Sequence, residues 1–221
     1  MLTWRISVLA LTLLSGAGVA ASVKIIVFDF SGELRDGGLP PPWTFRRWSP
    51  FVGMGDFDAS ARVVDDDGRR VLYLRSANSG FIVGIERTLD VALSPIVTWR
   101  WKVEQLPSGG SFKQTGTNDQ ALQLLFAFAG GKVVGYIWDT TGVPGASGSG
   151  LSWQDDVRVI VLEAGASRLG QWVSEKRDLS ADFRTLFSEA PPLLKGVAIQ
   201  SNSNHTGSVG VGYVGQIMLS P

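Results

Sequence analysis

The chain has no cysteine. That excludes disulfides, thiolate metal sites and a lipid anchor built on a cysteine at a cleavage site. A fold without such staples must stand on packing alone. There is one histidine, His205, so the several imidazoles that hold zinc are missing too. Acids and bases balance at 20 each, which gives no net charge to draw a polyanion such as nucleic acid. No apolar run after the N-terminus is long enough to cross a bilayer.

Catalytic signatures are equally scarce. Ser147 and Ser149 lie among glycines, but neither has glycine at both positions that a nucleophile elbow needs. No Gly-rich loop ending in lysine cradles phosphate. Glycoside hydrolysis needs two carboxyl groups across a sugar. Glu104, Glu163 and Glu175 are isolated in sequence, and Asp155 and Asp156 are adjacent, so in a strand they would face opposite ways.

The N-terminus is informative. Met1 to Arg5 is short and basic, Ile6 to Val19 is mostly apolar, and Gly18 to Ala21 are small apart from Val19. An apolar core of ~7–15 residues so flanked predicts a cleaved export signal over residues 1–21. A single domain over 22–221 follows, with a periplasmic or secreted bacterial location.

Period-two alternation dominates the rest. In Thr98-Trp99-Arg100-Trp101-Lys102-Val103 both tryptophans face one way and the two cations the other. Strands are predicted at 23–30, 71–75, 81–85, 122–128, 133–138, 157–162, 197–200 and 213–219. Asp65-Asp66-Asp67-Gly68 and Gly130-Gly131 read as hairpin turns. The acidic triplet could also hold a cation, but Asp and Gly are what such a turn requires. Residues 142–150 read as a loop. Leu179, Phe183, Leu186 and Phe187 share one helical face, Asp178 or Ser180 can cap its start, and Pro191-Pro192 forbids its continuation. The fold class is therefore all-β: a two-sheet antiparallel, jelly-roll-like sandwich with one short helix, its first and last strands adjacent.

Tryptophan is abundant, and indoles either fill cores or stack on sugar rings. Trp99 and Trp101 read as core. Trp43, Trp138 and Trp153 lie beside loops and are freer to face a ligand, although core or edge packing is the commoner fate of each.

"TWRWKV" from Thr98, "GYIW" from Gly135, "EKRDLSADFRTLF" from Glu175, "GVAIQSNSNHTG" from Gly196 and "GYVGQI" from Gly212 occur in that order. Together they resemble the secreted bacterial family labelled domain of unknown function 3047, over roughly Trp43 to Leu219. The resemblance implies export and one fold, and no reaction. Where the family pattern reads Thr-Asp-Thr-Asp-Asn-Thr-Gly, this chain has Ser201-Asn202-Ser203-Asn204-His205-Thr206-Gly207. Gly215-Gln216-Ile217 stands where an acid is usual before the isoleucine. An upstream acidic pair becomes Asn118-Asp119, followed by Gln123. Amides have thus replaced carboxylates, and an amide holds a cation far more weakly.

The candidate ligand-binding residues are Asp119, Trp138, Asn202, Asn204, His205, Gln216 and Arg177. Arg177 is read either as a ligand for anions or sugar hydroxyls or as the anchor of the helix start. No catalytic residue, metal or cofactor is expected. The leading reading is an exported, non-catalytic binding module for a glycan or another cell-envelope component. Alternatives are a polysaccharide hydrolase or lyase with Asp119 as acid or base, and a structural or assembly protein of the periplasm.

Overall fold

The computed structural model describes residues 26–35, 38–47, 58–150 and 155–221. The export signal, Trp48 and Trp153 lie outside them. In chain order the first strands are β1 (Ile26–Phe28), β2 (Thr44–Arg47), β3 (Asp58–Asp66), β4 (Arg69–Ala77), β5 (Gly80–Leu89), β6 (Ile96–Gln105) and β7 (Leu122–Phe128). Then come β8 (Lys132–Asp139), β9 (Ser147–Ser149), β10 (Asp156–Ala164), β11 (Val173–Asp178), helix α1 (Leu179–Phe187), β12 (Leu194–Asn202), β13 (Val209–Val214) and β14 (Ile217–Ser220).

The strands form two seven-stranded sheets. The first runs β1-β14-β6-β13-β4-β3, with β11 along the other edge of β6; the second runs β2-β5-β12-β7-β8-β10-β9. The first and last strands pair, Phe28 opposite Ile217. Among the described residues all pairs are antiparallel except β8 with β10, which is parallel. The loop predicted at 142–150 contains the short edge strand β9. The strand predicted over 213–219 is interrupted: β13 and β14 are separated by Gly215 and Gln216.

Two turns behave as their residues require. Asp67 and Gly68 both have positive φ, as do Gly130 and Gly131. That double left-handed geometry matches the right-handed twist of the flanking strands. Asp65 Oδ1 accepts the Gly68 N–H at 2.9 Å and closes the first turn.

Alternation fills the space between the sheets. From β6, Val97, Trp99, Trp101 and Val103 point inward; from β7, Leu122, Leu124, Phe126 and Phe128; from β8, Val134, Tyr136 and Trp138. Trp99 stacks on Tyr136 at 5.2 Å between centroids, and Trp101 meets Trp138 at 6.0 Å. Burying each such side chain stabilises the fold by about 2 kcal/mol. Trp138 is therefore core, with no exposed surface, and its indole N–H donates to the Gly165 carbonyl at 3.2 Å. Trp43 is core as well: it packs on Phe30 at 5.1 Å and donates to the Asp29 carbonyl. The expectation that Trp138 binds a ligand is thus corrected: it takes the inward phase of β8.

Helix α1 closes one end of the core. Asp178 caps it by accepting the Ala181 N–H at 2.8 Å, and Ser188 ends it in the left-handed conformation. Leu179 and Phe183 are buried, Phe183 at 4.6 Å from Phe128. Arg177 does not pair with Asp178. Its guanidinium forks onto Asp182, and Asp182 also accepts the Tyr136 hydroxyl at 2.7 Å.

Glu175 of β11 lies opposite Trp99 and accepts the Trp101 indole N–H at 3.2 Å. Burial, and then the nearby Glu163 charge, push its carboxyl above the ordinary value of 4.5. A carboxyl raised on folding contributes stability that is complete below its unfolded pKa and lost as pH rises through the folded one. Glu175→Gln keeps the acceptor and removes the charge. The variant should melt at a higher temperature than the parent at pH 7 to 8, and the gap should close toward pH 4. Thermal melts across that range check this.

Candidate functional site

The face of the second sheet that turns away from the core carries a different composition. Period two puts Gln123 and Leu125 of β7, Ile137 of β8, Val159 of β10 and Gln200 and Asn202 of β12 on it. They border a small cavity of about 50 Å³ together with Phe112, Asn118, Gln120 and His205. Gln123 and Gln200 are direct partners in the ladder, so their side chains stand side by side. Gly135 keeps the floor low, since a Cβ there would come within 3.0 Å of Leu125 and Val159 side-chain atoms. Phe112, Ile137, Val159 and Val161 form a small apolar cluster beneath one side.

Asp119 organises the rim. It is fully buried. Its Oδ2 accepts the Thr206 N–H at 2.7 Å and the Thr206 hydroxyl at 2.8 Å. Its Oδ1 accepts Asn202 Nδ2 at 3.1 Å and lies 3.3 Å from His205 Nδ1. A carboxylate only accepts, so the imidazole donates from Nδ1 in that bond. Asn202 continues the network: its Nδ2 also donates to the Asn118 carbonyl, and its Oδ1 accepts from the Gln120 N–H and from Gln123 Nε2.

A second buried carboxylate does the same on the neighbouring loop. Asp139 accepts the N–H groups of Phe112, Thr141 and Gly142 at 2.8 to 2.9 Å. Gln120 joins the two networks, with Nε2 at 3.0 Å from Asn118 Oδ1 and 3.4 Å from Asp139 Oδ2. Buried carboxylates are tolerated where several donors replace water.

The sequence-predicted residues divide accordingly. Asp119, Asn202 and His205 come together, and half-buried Asn204 belongs to the same loop. Gln216 does not join them; it is exposed and lines a separate cleft in the first sheet. Trp138 is core and Arg177 is committed to Asp182. Gln120, Gln200, Asp139 and Phe112 were not singled out by sequence. Gln200 had a usable signal, alternating with Ile199 and Ser201 in a run otherwise read only as a strand. Asp139 had none: its bonds to the Thr141 and Gly142 amides are an ordinary local turn, and its bond to the Phe112 amide comes from a distant loop.

This geometry makes Asp119 the fastener of the 202–206 loop. Asp119→Ala would leave buried donors without an acceptor and should cost about 3 kcal/mol in denaturant unfolding. Hydrogen exchange at the Thr206 amide should accelerate beyond the change that global stability accounts for. An unaltered Thr206 rate at equal global stability would contradict the role.

Among the described residues, no helix is long and apolar enough to cross a membrane. No three His, Asp or Glu side chains cluster there as metal ligands would. A comparison with curated proteins finds no match. Among solved structures, the xyloglucanase domain of NopAA, a type three effector from Sinorhizobium fredii in complex with cellobiose, is similar at 11% identity and a TM-score of 0.48, covering 88% of this chain and 97% of that one. A metagenome-derived glycoside hydrolase family 12 endoglucanase aligns at 10% identity and a TM-score of 0.45, over 90% and 99% of the two chains. Endoglucanase cel12A from Rhodothermus marinus aligns at 10% and 0.43, over 89% and 100%. These are likenesses of chain path and bring no chemistry with them. The model of the family described as "Protein of unknown function (DUF3047)" matches residues 51–218, and the chain belongs to that family.

Proposed function

We propose that the chain is an exported, non-catalytic binding module, and that it takes a neutral glycan on the outward face of its second sheet. The observation that carries this reading is the side-by-side pair of amides Gln123 and Gln200 beside the half-buried apolar side chains of Leu125 and Val157. An amide both donates and accepts, as sugar hydroxyls do. The aliphatic surface that Leu125 and Val157 leave open suits the C–H face of a sugar ring. Among the described residues His205 is the one titratable residue that lines the cavity, so the face favours an uncharged ligand. The cavity has room for one or two water-sized groups, so the ligand lies across the face and seats a single substituent in it.

Binding is favoured over hydrolysis by the same residues. Among the described residues no carboxylate lines this cavity, and the usual glycosidase route needs two. Asp119 is a poor acid or base here, because both its oxygens are occupied by loop donors. Asp119, Asn202 and His205 act in this reading by positioning the rim.

Calorimetric titration with a panel of neutral oligosaccharides tests it. Gln200→Ala should weaken binding about five- to tenfold, the size of one lost hydrogen bond, with no product formed. Affinity unchanged in both Gln200→Ala and Gln123→Ala would remove this face as the site. Shortened oligosaccharides after incubation would remove the non-catalytic reading.

A further inference from the structure

The first sheet forks at Gly215 and Gln216. β13, ending at Val214, stays paired with β4, whereas β14, starting at Ile217, pairs with β1. Arg70 ties the diverging strands by donating to the Ser31 and Gly32 carbonyls at 3.0 and 2.9 Å. A cleft of about 710 Å³ opens in the fork, a volume typical of small-molecule sites. It shares no lining residue with the amide face of the other sheet.

The cleft is charged in a chain that is not. Arg69, Arg70, Arg100 and Lys176 line it against Asp29 and Glu175. Both carboxylates have other partners: Glu175 holds the Trp101 indole, and Asp29 holds the Ser31 amide and hydroxyl. Arg70 is used by its two carbonyls. Among the described residues no carboxylate lies within ion-pair distance of Arg69, Arg100 or Lys176.

Arg100 is also fixed in place. Its guanidinium lies 4.2 Å from the centre of the Trp172 ring, and a Cβ on Gly215 would fall 2.8 Å from Arg100 Cγ. Burial first, and the Arg69 charge second, push its pKa below the ordinary range; Asp66 and Asp67 act in the opposite direction. Asp66 is itself bound by Lys102 and Trp172. Two like charges held together in this way are relieved by an anion. Trp99 also borders the cleft, and among the described residues its buried indole N–H has no partner.

We propose that this cleft is a second ligand site, for an acidic sugar. Arg69 and Arg100 would take its carboxylate or phosphate oxygens, Lys176 would add a third charge, and Thr98, Ser174 and Gln216 would meet its hydroxyls. Guanidinium forks suit either oxyanion. The volume exceeds what an inorganic ion fills.

Titration of the full chain with trigalacturonate, with glucose 6-phosphate and with uncharged maltotriose tests the proposal. At least one acidic sugar should bind and maltotriose should not enter the cleft; the two acidic arms tell carboxylate from phosphate. Arg100→Ala and Arg69→Ala should each weaken binding about tenfold or more. Lys176→Ala, an exposed change, keeps the test decisive if Arg100→Ala fails to fold. Gln200→Ala should leave acidic-sugar binding intact, which separates this site from the amide face. Neither acidic sugar binding, or equal affinity in all three cation variants, would overturn it.

Discussion

Two tryptophans of one sheet stand on a tyrosine and a tryptophan of the other. Trp99 on Tyr136 and Trp101 against Trp138 occupy the middle of the sandwich, and both sheets are built to present them. The polar handles of these rings decide what surrounds the core. The Trp101 indole requires an acceptor and draws Glu175 inward. The Tyr136 hydroxyl requires one too and finds Asp182, which in turn holds Arg177. The short helix is thus pinned to the sheets by a hydrogen bond that begins on a core ring. Such groups satisfy one another inside a protein or cost free energy.

Filling the interior with aromatic rings leaves no room for a ligand between the sheets. Recognition is confined to outward faces and to places where a sheet opens. The second sheet offers a face of amides and aliphatics, steadied at its rim by two buried carboxylates that accept loop N–H groups. The first sheet offers a fork in which, among the described residues, Arg69, Arg100 and Lys176 have no carboxylate within ion-pair distance. Asp119 and Asp139 show that an acid on such a scaffold can be a fastener: Asp119 is engaged by donors far away in sequence, and Asp139 ties its own following turn to the distant Phe112 amide.

Strand periodicity, the two hairpin turns and the helix with its Asp178 cap were legible from the sequence, because each depends on neighbours a few residues away. The pairing of first and last strands followed from architecture. What failed was the placing of Trp138 among the ligand-binding residues: proximity to a loop says nothing about the phase of a strand, and Trp138 sits in the inward phase of β8. Gln216 was grouped with Asn202 because a family pattern substitutes acids at both positions, yet the fork carries Gln216 to another cleft. Arg177 was set beside Asp178, whereas helical geometry brings Asp182 to it. The meeting of Asp119 with Asn202 and His205 was within reach of the family comparison. Their link to Asp139 through Gln120 depends on loop closure that no local pattern encodes.

The central claim is that the aromatic layer only supports and the amide face recognises. Proton–nitrogen correlation NMR during titration with a bound neutral oligosaccharide tests this most directly. The side-chain amide signals of Gln123 and Gln200 should move while the indole signals of Trp99, Trp101 and Trp138 stay in place. Indole signals that shift while those amides stay silent would contradict it.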